Sequence, residues 1–234
     1  MKKSITLIAV LFFTCFFSFS QKGQIIYSIK VDENSYNDVA EQYKERLSKM
    51  KDYANHQNFE LNFIDNKSSF KIVERLVQEE GFDKQENEIA QSAMTTRAEI
   101  YFDHENKLEI QKEFDGQLIQ INYEKPNWEI TTETKNIDNY LCYKATCQES
   151  YIPRDGKTKT REIVVWFAPS LPYSYGPKGF FGLPGLILEL KYIKTTYFAT
   201  KIDLEKKDIV VTFPKGKTTT QEEYTKKLKA LMGM

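Results

Sequence analysis

The chain has 234 residues, 33 of them basic and 33 acidic, and only three cysteines. A chain without net charge has no electrostatic attraction to nucleic acid or to acidic lipid, so we expect no nucleic-acid partner. So few cysteines exclude a disulfide-dense scaffold, and a hydrophobic core has to stabilise the fold.

The N-terminus predicts a secretory signal peptide over residues 1–20. Lys2 and Lys3 form a cationic head, and the apolar run Ile5–Phe17 is shorter than the ~20 residues of a membrane span. Small residues at the end of this segment predict cleavage after Ser20. We therefore expect an exported protein, periplasmic or secreted, with no transmembrane segment in the mature chain.

An alternative interpretation of the same segment is a lipoprotein modified at Cys15. Thr14 is a poor residue before a lipidated cysteine, and Phe16 and Phe17 continue the apolar run beyond it. Cleavage by a signal peptidase is the better fit.

The remaining residues, 21–234, predict a single β-rich domain. Val39, Tyr43, Leu47, Met50 and Ala54 recur at helical spacing and predict a helix over residues 35–56. The predicted strands are Gln24–Val31, Asn58–Ile64, Ser69–Val77, Ala98–Asp103, Lys107–Phe114, Gln117–Tyr123, Trp128–Ile137, Tyr140–Ser150, Thr160–Phe167, Leu186–Ile193, Thr196–Leu204 and Ile209–Phe213.

Three further segments complete the chain. The polar stretch Gln78–Thr95 predicts a long exposed loop, and Pro153–Gly156 predicts a turn. A capping box of Thr220 and Glu223 begins a C-terminal helix.

Short strands joined by hairpin signals are typical of an antiparallel meander. We therefore predict a mainly β fold: a large curved antiparallel sheet, half-barrel-like, with the N-terminal helix packed on it and a short C-terminal helix. In Ile163–Phe167 every residue is apolar, which predicts a strand that is buried on both faces.

The sequence offers little for a metal, a cofactor or catalysis. His56 and His104 fall at a helix end and in a turn, without a second ligand at zinc spacing, so we predict two exposed histidines and no metal or cofactor. Carboxylates on neighbouring strands can serve as acid and base, which keeps a hydrolase as an alternative. The carboxylates in question are Glu99, Asp103, Glu109 and Glu113, and the strand alternation places most of them on the solvent face, opposite apolar residues.

Cys142 and Cys147 lie in the same predicted strand. Five residues of extended chain at ~3.3 Å each separate their Cα atoms by about 17 Å. Because a disulfide requires less than ~7 Å, we predict two separate thiols.

The most unusual stretch is Gly176–Leu190, "GPKGFFGLPGLILEL". Pro184 and Gly185 fit the central positions of a type II turn, with positive φ at the glycine, and this turn would aim a core strand. The adjacent Phe180 and Phe181 let the loop direct at least one ring inward. The alternative is a functional loop, whose glycines bind an anion or let a ligand approach the backbone.

The hexapeptide Gly182–Ile187 resembles the signature of the GLPGLI family of exported bacterial proteins. "NYLCYKA" at Asn139–Ala145 and "VVWFAPSLP" at Val164–Pro172 extend the resemblance, although Tyr140-Leu141 replaces the Gly-Tyr usual before the cysteine. The resemblance implies an envelope protein of a Gram-negative lineage with no assigned activity.

The leading functional hypothesis is a non-enzymatic periplasmic or secreted binding protein. The concave side of the sheet would hold an apolar ligand or a protein segment, by the residues Trp166, Phe180, Phe181, Gly182, Leu183, Pro184 and Gly185. An alternative is an envelope assembly or transport accessory, in which this loop docks an outer-membrane protein.

Overall fold

The computed structural model describes residues 21–33, 39–74, 83–151 and 157–231. The turn predicted at Pro153–Gly156 and the signal peptide predicted at 1–20 both lie outside these ranges.

The described residues form twelve strands and three α-helices. In chain order the elements are β1 (Lys22–Val31), α1 (Glu41–Asn55), β2 (Asn58–Ile64), β3 (Lys67–Ile72), α2 (Lys84–Met94), β4 (Glu99–Asp103), β5 (Leu108–Lys112), β6 (Leu118–Ile121), β7 (Glu129–Ile137), β8 (Tyr140–Tyr151), β9 (Lys159–Ala168), β10 (Leu186–Tyr192), β11 (Thr195–Asp203), β12 (Thr218–Thr220) and α3 (Gln221–Leu231).

All twelve of these strands belong to one open sheet. Its order is β12-β6-β5-β4-β3-β2-β1-β11-β10-β9-β8-β7, with β12 and β7 at the two edges. Every pairing is antiparallel except that of β12 with β6. Two meanders, β2 to β6 and β7 to β11, therefore meet where β1 pairs with both β2 and β11. The mainly β antiparallel fold predicted from the sequence is confirmed.

One face of this sheet carries the main core, and we call it the inner face. In β1 every second residue is buried, namely Ile25, Tyr27, Ile29 and Val31. Their partners Phe59 and Leu61 on β2 and Tyr197 on β11 are buried as well. The period-two pattern of β1 thus fixes which side faces the core.

The two N-terminal helices differ from the prediction. The helix expected over 35–56 begins only at Glu41, and of its apolar stripe Ala54 is buried whereas Tyr43 is 55% exposed. The prediction of a loop over Gln78–Thr95 was wrong, because Lys84–Met94 forms helix α2. Asp83 caps that helix by accepting hydrogen bonds from the backbone of Gln85 and Glu86.

The predictions for the C-terminal region are confirmed in part. The backbone N–H of Thr220 donates to the Glu223 carboxylate, and the Glu223 N–H donates to the Thr220 hydroxyl, so the capping box forms as predicted. The strand predicted at Ile209–Phe213 is absent from this described stretch. Phe213 instead covers Tyr101 on the outer face of the sheet, in a small second core with Ile110 and Leu118.

The strand β9 is buried on one face rather than on both. Ile163, Val165 and Phe167 are at most 2% exposed and point to the inner face. Val164 and Trp166, which alternate with these residues, are only half-buried. No helix or loop of the described chain packs on this part of the outer face, which is covered by side chains such as that of Lys135.

Candidate functional site

The segment between β9 and β10, residues 169–185, folds back across the inner face. Its short 3-10 turn, Pro177–Gly179, contacts β3 and β4, which lie on the far side of β1 and β2 from β10. Tyr175 donates its hydroxyl proton to the backbone carbonyl of Asp65, and its ring stacks on Phe63 at 4.7 Å. We call residues 169–185 the plug loop, because the sheet's inner face is filled by it.

Both phenylalanines of the plug loop point inward, as the sequence allowed. Phe180 packs on Trp128 and Tyr192, with ring centroids 6.0 Å apart in each case. Phe181 packs on Phe102 at 5.4 Å, and its carbonyl accepts a hydrogen bond of 2.8 Å from the indole of Trp128. Their burial fixes the loop to the sheet.

The glycines of the hexapeptide are required for reasons that differ from the prediction. Gly185 does not have the positive φ of a type II turn; the residue with φ of +95° is Gly182. A Cβ on Gly185 would lie closer than 3.0 Å to the carbonyl of Ala168 and to Pro169 N. Gly185 is therefore needed for close approach between two backbone segments, and Gly182 for its left-handed conformation.

A pocket of about 300 Å³ opens at the end of the plug loop. It lies where β1 begins and where β2, β4 and β6 end. Its lining combines aromatic rings with hydroxyl, amide and amino groups, and the residues are Gln21, Asn66, His104, Tyr123, Lys125, Ser174, Tyr175, Phe181 and Gly182. We call it the aromatic pocket.

His104 is the central polar residue of the aromatic pocket. Its Nδ1 shares a hydrogen bond of 2.8 Å with the hydroxyl of Tyr123, and the rings of Phe181, Tyr175 and Phe102 lie 4.6, 5.4 and 5.5 Å away. Its Nε2 is buried without a hydrogen-bond partner in the described chain. Burial lowers the pKa of His104, although the charge of Asp103 opposes this, so the neutral ring is favoured.

The prediction of two exposed histidines is thus half right. The side chain of His56 is 61% exposed, at the C-terminal end of α1. His104 follows β4 on the same side as Phe102, and this places it under the plug loop rather than in a solvated turn.

The side chain of Glu109 lies on the opposite face of the sheet from the one predicted. Glu109 pairs with Phe102 and Ile121, so its carboxylate lies on the inner face with them. Burial raises the pKa of Glu109 to about 7, while a hydrogen bond from Gln111 opposes this. Burial, and then the Glu109 charge, raise the pKa of Tyr123, which connects Glu109 electrostatically to the aromatic pocket.

The other three carboxylates are not simply solvated either. Asp103 is 6% exposed and accepts hydrogen bonds from the backbone and side chain of Asn106. Glu99 pairs with Lys112 and accepts from Tyr101. Burial raises the pKa of Glu113, with a smaller contribution from Asp115.

Few features of the described residues indicate catalysis. Glu109 is hydrogen-bonded to Gln111 and not to a second carboxylate, so the pair that would serve a hydrolase as acid and base is not assembled around it. In the described ranges no group of three or more His, Cys, Asp or Glu side chains is placed to hold a metal.

The structure brings together some of the seven predicted site residues. Phe181 and Gly182 line the aromatic pocket, whereas Phe180, Leu183 and Gly185 are buried in the core and Pro184 is exposed. Trp166 lies on the outer face, where the ammonium of Lys135 is 4.4 Å from its ring centroid. It is therefore separated from the plug loop by the thickness of the sheet.

Sequence reasoning missed His104, Glu109, Tyr123 and Lys125. For Glu109 the alternation of the strand was ambiguous, because its neighbour Ile110 is also buried, in the small core with Phe213. Where both faces of a sheet are covered, the alternation of polar and apolar residues no longer shows which face is exposed to solvent.

A second, larger cavity of about 490 Å³ lies between the β7–β8 turn and β11. Asp138, Asn139 and Tyr140 line one side of it, and 199–202 of β11 line the other. It contains none of the predicted site residues and one aromatic ring, so we place the candidate site in the aromatic pocket.

Fold and pocket together define a class: an open, mostly antiparallel sheet with a loop-filled inner face and a small pocket beside the loop. A family model described as "Protein of unknown function (Porph_ging)" matches residues 153–189, which contain the whole plug loop and the hexapeptide. No curated protein matches the chain.

Solved structures share the fold at low identity. The structure of PNGF-II in the P21 space group has a TM-score of 0.51 and 16% identity, over 88% of this chain and 32% of that one. The structure of PNGF-II in the C2 space group gives a TM-score of 0.50 at the same identity and coverage. This chain thus spans about a third of the length of those proteins, and at this identity the likeness concerns the fold alone.

Proposed function

We propose that the protein is an exported, non-enzymatic binding protein that holds a small ligand in the aromatic pocket. The observation that carries the proposal is the half-buried His104, hydrogen-bonded to Tyr123 among three further aromatic rings. A concave site with aromatic walls and a few convergent polar groups is the usual form of a small-molecule site.

The size and lining of the pocket constrain the ligand. A volume of about 300 Å³ suits a compact molecule, and the plug loop occupies the inner face that a long apolar chain would need. The rings offer an apolar surface, while Asn66, Ser174 and Lys125 offer hydrogen bonds at the rim. We therefore favour a compact ligand, or the end of a protein segment, with one apolar face and one polar edge.

Export and family membership belong to the same proposal. The N-terminal sequence favours a signal peptide cleaved after Ser20, and the hexapeptide within the matched range favours the GLPGLI family of envelope proteins. Among the described residues, no helix combines the length and the apolar character needed to cross a membrane.

A second candidate function is an accessory in envelope assembly or outer-membrane transport. The observation that favours it is the nine-residue edge strand β7, which pairs with β8 on one side and, among the described residues, with no strand on the other, and whose Ile130 is 52% exposed. An extended segment of a partner could add to this edge as a further strand.

Native mass spectrometry of protein purified from its own envelope distinguishes these functions. The wild type is compared with Ser174→Trp, which places an indole at the rim of the aromatic pocket, and with Thr160→Trp, an exposed site on β9. We expect a small-molecule adduct on the wild type and on Thr160→Trp, and its loss from Ser174→Trp.

Other results would contradict the proposal. An adduct retained by Ser174→Trp would place the ligand elsewhere, and wild-type protein free of any adduct would argue against a small-molecule carrier. A stoichiometric protein partner that survives in Ser174→Trp would favour the accessory function.

A further inference from the structure

The aromatic pocket has a positive charge at its rim and no acid in its lining. Nine of the described residues line it; Lys125 is the one permanent cation among them, and none of the nine is acidic. The ammonium of Lys125 forms no ion pair and no hydrogen bond with a described residue. An unpaired cation beside apolar walls attracts an anionic ligand more strongly than a neutral one.

The acids near the pocket do not cancel this charge. Asp65, Asp103 and Glu124 are neighbours of lining residues in the chain, but none of them lines the pocket. The carboxylate of Asp103 accepts a hydrogen bond from the Asn106 side chain and lies 3.8 Å from the ammonium of Lys67. A ligand that enters the pocket therefore meets the charge of Lys125 first.

The plug loop holds the stem of Lys125 at the rim. A Cβ on Gly182 would lie 2.7 Å from Cε and 3.1 Å from Cγ of Lys125, so the stem occupies the space that the glycine leaves empty. The N–H of Gly182 also donates to the hydroxyl oxygen of Ser174 over 3.0 Å. Because this hydroxyl accepts from the backbone, its own proton can be donated to a ligand.

The hydrogen bond between His104 and Tyr123 provides a second hydroxyl donor. Nδ1 of His104 is 2.8 Å from the Tyr123 hydroxyl, whereas Nε2 is covered and has no partner among the described residues. Buried N–H groups without an acceptor are rarer than acceptors without a donor, so the proton of the neutral ring belongs on Nδ1. Nδ1 then donates to the Tyr123 oxygen, and the phenolic proton can be donated into the pocket.

We propose that the aromatic pocket binds a compact carboxylate that carries an apolar ring. The carboxylate pairs with the ammonium of Lys125 and accepts hydrogen bonds from the hydroxyls of Ser174 and Tyr123. The ring of the ligand lies against Phe181 and Tyr175, the two buried aromatic residues of the lining. This inference rests on the binding function proposed above and names the class of its ligand.

The test compares an acid with its uncharged amide. Isothermal titration calorimetry of the mature protein measures the affinities for 3-phenylpropionate, for 3-phenylpropionamide and for propionate, which lacks the ring. We expect the acid to bind about tenfold more tightly than the amide, since a hydrogen bond to a charged group is worth about a factor of ten or more. Propionate should bind more weakly than 3-phenylpropionate.

Three results would overturn the proposed ligand class. Equal affinities for the acid and the amide would show that the carboxylate is not recognised. Equal affinities for propionate and 3-phenylpropionate would show that the rings contribute nothing. Failure of 3-phenylpropionate to bind with a dissociation constant below about 1 mM would exclude it as a model of the ligand.

Matched variants assign the contacts. Lys125→Met keeps a stem over Gly182 but removes the charge, and we expect the preference for the acid to fall to about threefold. Lys191→Met, at an exposed position on β10, should keep the full preference. Tyr123→Phe removes the phenolic donor and should weaken binding of the acid about tenfold. An unchanged preference in Lys125→Met, or an unchanged affinity in Tyr123→Phe, would contradict these assignments.

A carboxylate beside a ring also occurs at the C-terminus of a peptide that ends in phenylalanine. Acetyl-glycyl-phenylalanine is therefore titrated as well: tighter binding than that of 3-phenylpropionate identifies a protein end as the source, and weaker binding identifies a free acid. The envelope adduct tests the proposed function separately. If the adduct is lost from Ser174→Trp while the acid and the amide bind equally, the binding function stands and the ligand class is wrong.

Discussion

Gly182 and Gly185, three residues apart, meet two different requirements. Gly182 has a left-handed backbone, and its N–H donates to the hydroxyl of Ser174. Gly185 has no positive φ, but any Cβ there would overlap the backbone of Ala168. The hexapeptide therefore needs its glycines for conformation at one position and for packing at the other.

A comparison of Gly185→Ala with Gly116→Ala separates these two effects. Gly116 has φ of +82° and open space around its Cβ position, so the alanine adds only strain, about 1–2 kcal/mol. At Gly185 the new methyl must displace two backbone segments, and we expect a loss at the upper end of the ~1–3 kcal/mol typical of overpacking. Denaturant unfolding measures both, and wild-type stability of Gly185→Ala would contradict the packing that we describe.

Glu109 predicts a stability that falls as the pH rises. Its pKa is about 7 in the folded chain against 4.5 for the ordinary group, so the folded state holds a proton that the unfolded state releases between these values. The stabilisation is complete below about pH 4.5 and is lost as the pH rises through about 7.

We expect Glu109→Gln to abolish about 1–3 kcal/mol of this pH dependence. Urea unfolding at pH 5 and at pH 8 measures it, with Glu205→Gln as an exposed control on the C-terminal side of β11. If Glu109→Gln and Glu205→Gln show the same slope with pH as the wild type, then Glu109 is not buried as we describe.

At the scale of the element, β8 explains the state of the cysteines. Cys142 and Cys147 are free thiols, as the sequence predicted, and both are buried. Five is an odd separation, so a continuous strand places the two thiols on opposite faces. Burial raises the pKa of both thiols to about 11.

We therefore expect slow alkylation of the native protein and rapid uptake of two labels after unfolding without a reductant. Iodoacetamide labelling followed by intact mass gives both rates. A peptide crosslinked between Cys142 and Cys147 would show that β8 is interrupted in solution.

The sequence predicts best those elements in which apolar residues recur with a regular period. β1 and β2 alternate cleanly, and β2 was predicted residue for residue as Asn58–Ile64. Helix α2 was missed because its sequence is polar, and only Ala90 and Met94 of it are buried. Packing against α1 rather than a wide apolar stripe stabilises it.

The candidate site was less predictable than the fold. Phe181 and Gly182 came from an unusual local sequence, but His104 and Tyr123 reach the aromatic pocket only through the pairing of β4, β5 and β6. Such proximity between residues distant in the chain follows from sheet order, which a single sequence does not contain.

At the scale of the whole molecule, the plug loop connects the two meanders. It leaves β9 and returns to β10, yet it rests on β3 and β4 across the sheet. Leu171 O accepts from the Leu186 N–H, and Tyr175 O accepts from the Ile187 N–H, so the loop is also tied to the start of β10. The chain's own loop thus closes the core, and the aromatic pocket lies at one end of that loop.

The export that we propose predicts a defined N-terminus for the mature protein. Intact mass of protein recovered from the cell envelope should correspond to a chain that begins at Gln21. A mass that includes acyl chains on Cys15 would establish the lipoprotein alternative instead.

The packing of the plug loop on the far meander is tested most directly by a double-mutant cycle on Phe102 and Phe181, whose rings are 5.4 Å apart. The two single Leu variants and the double variant are unfolded in denaturant, with Phe181→Leu combined with Phe213→Leu as the control pair on opposite faces. We predict a coupling of about 0.5–1.5 kcal/mol for the first pair and additivity for the control. Additivity within about 0.3–0.5 kcal/mol for Phe102 and Phe181 would contradict our account of the inner face.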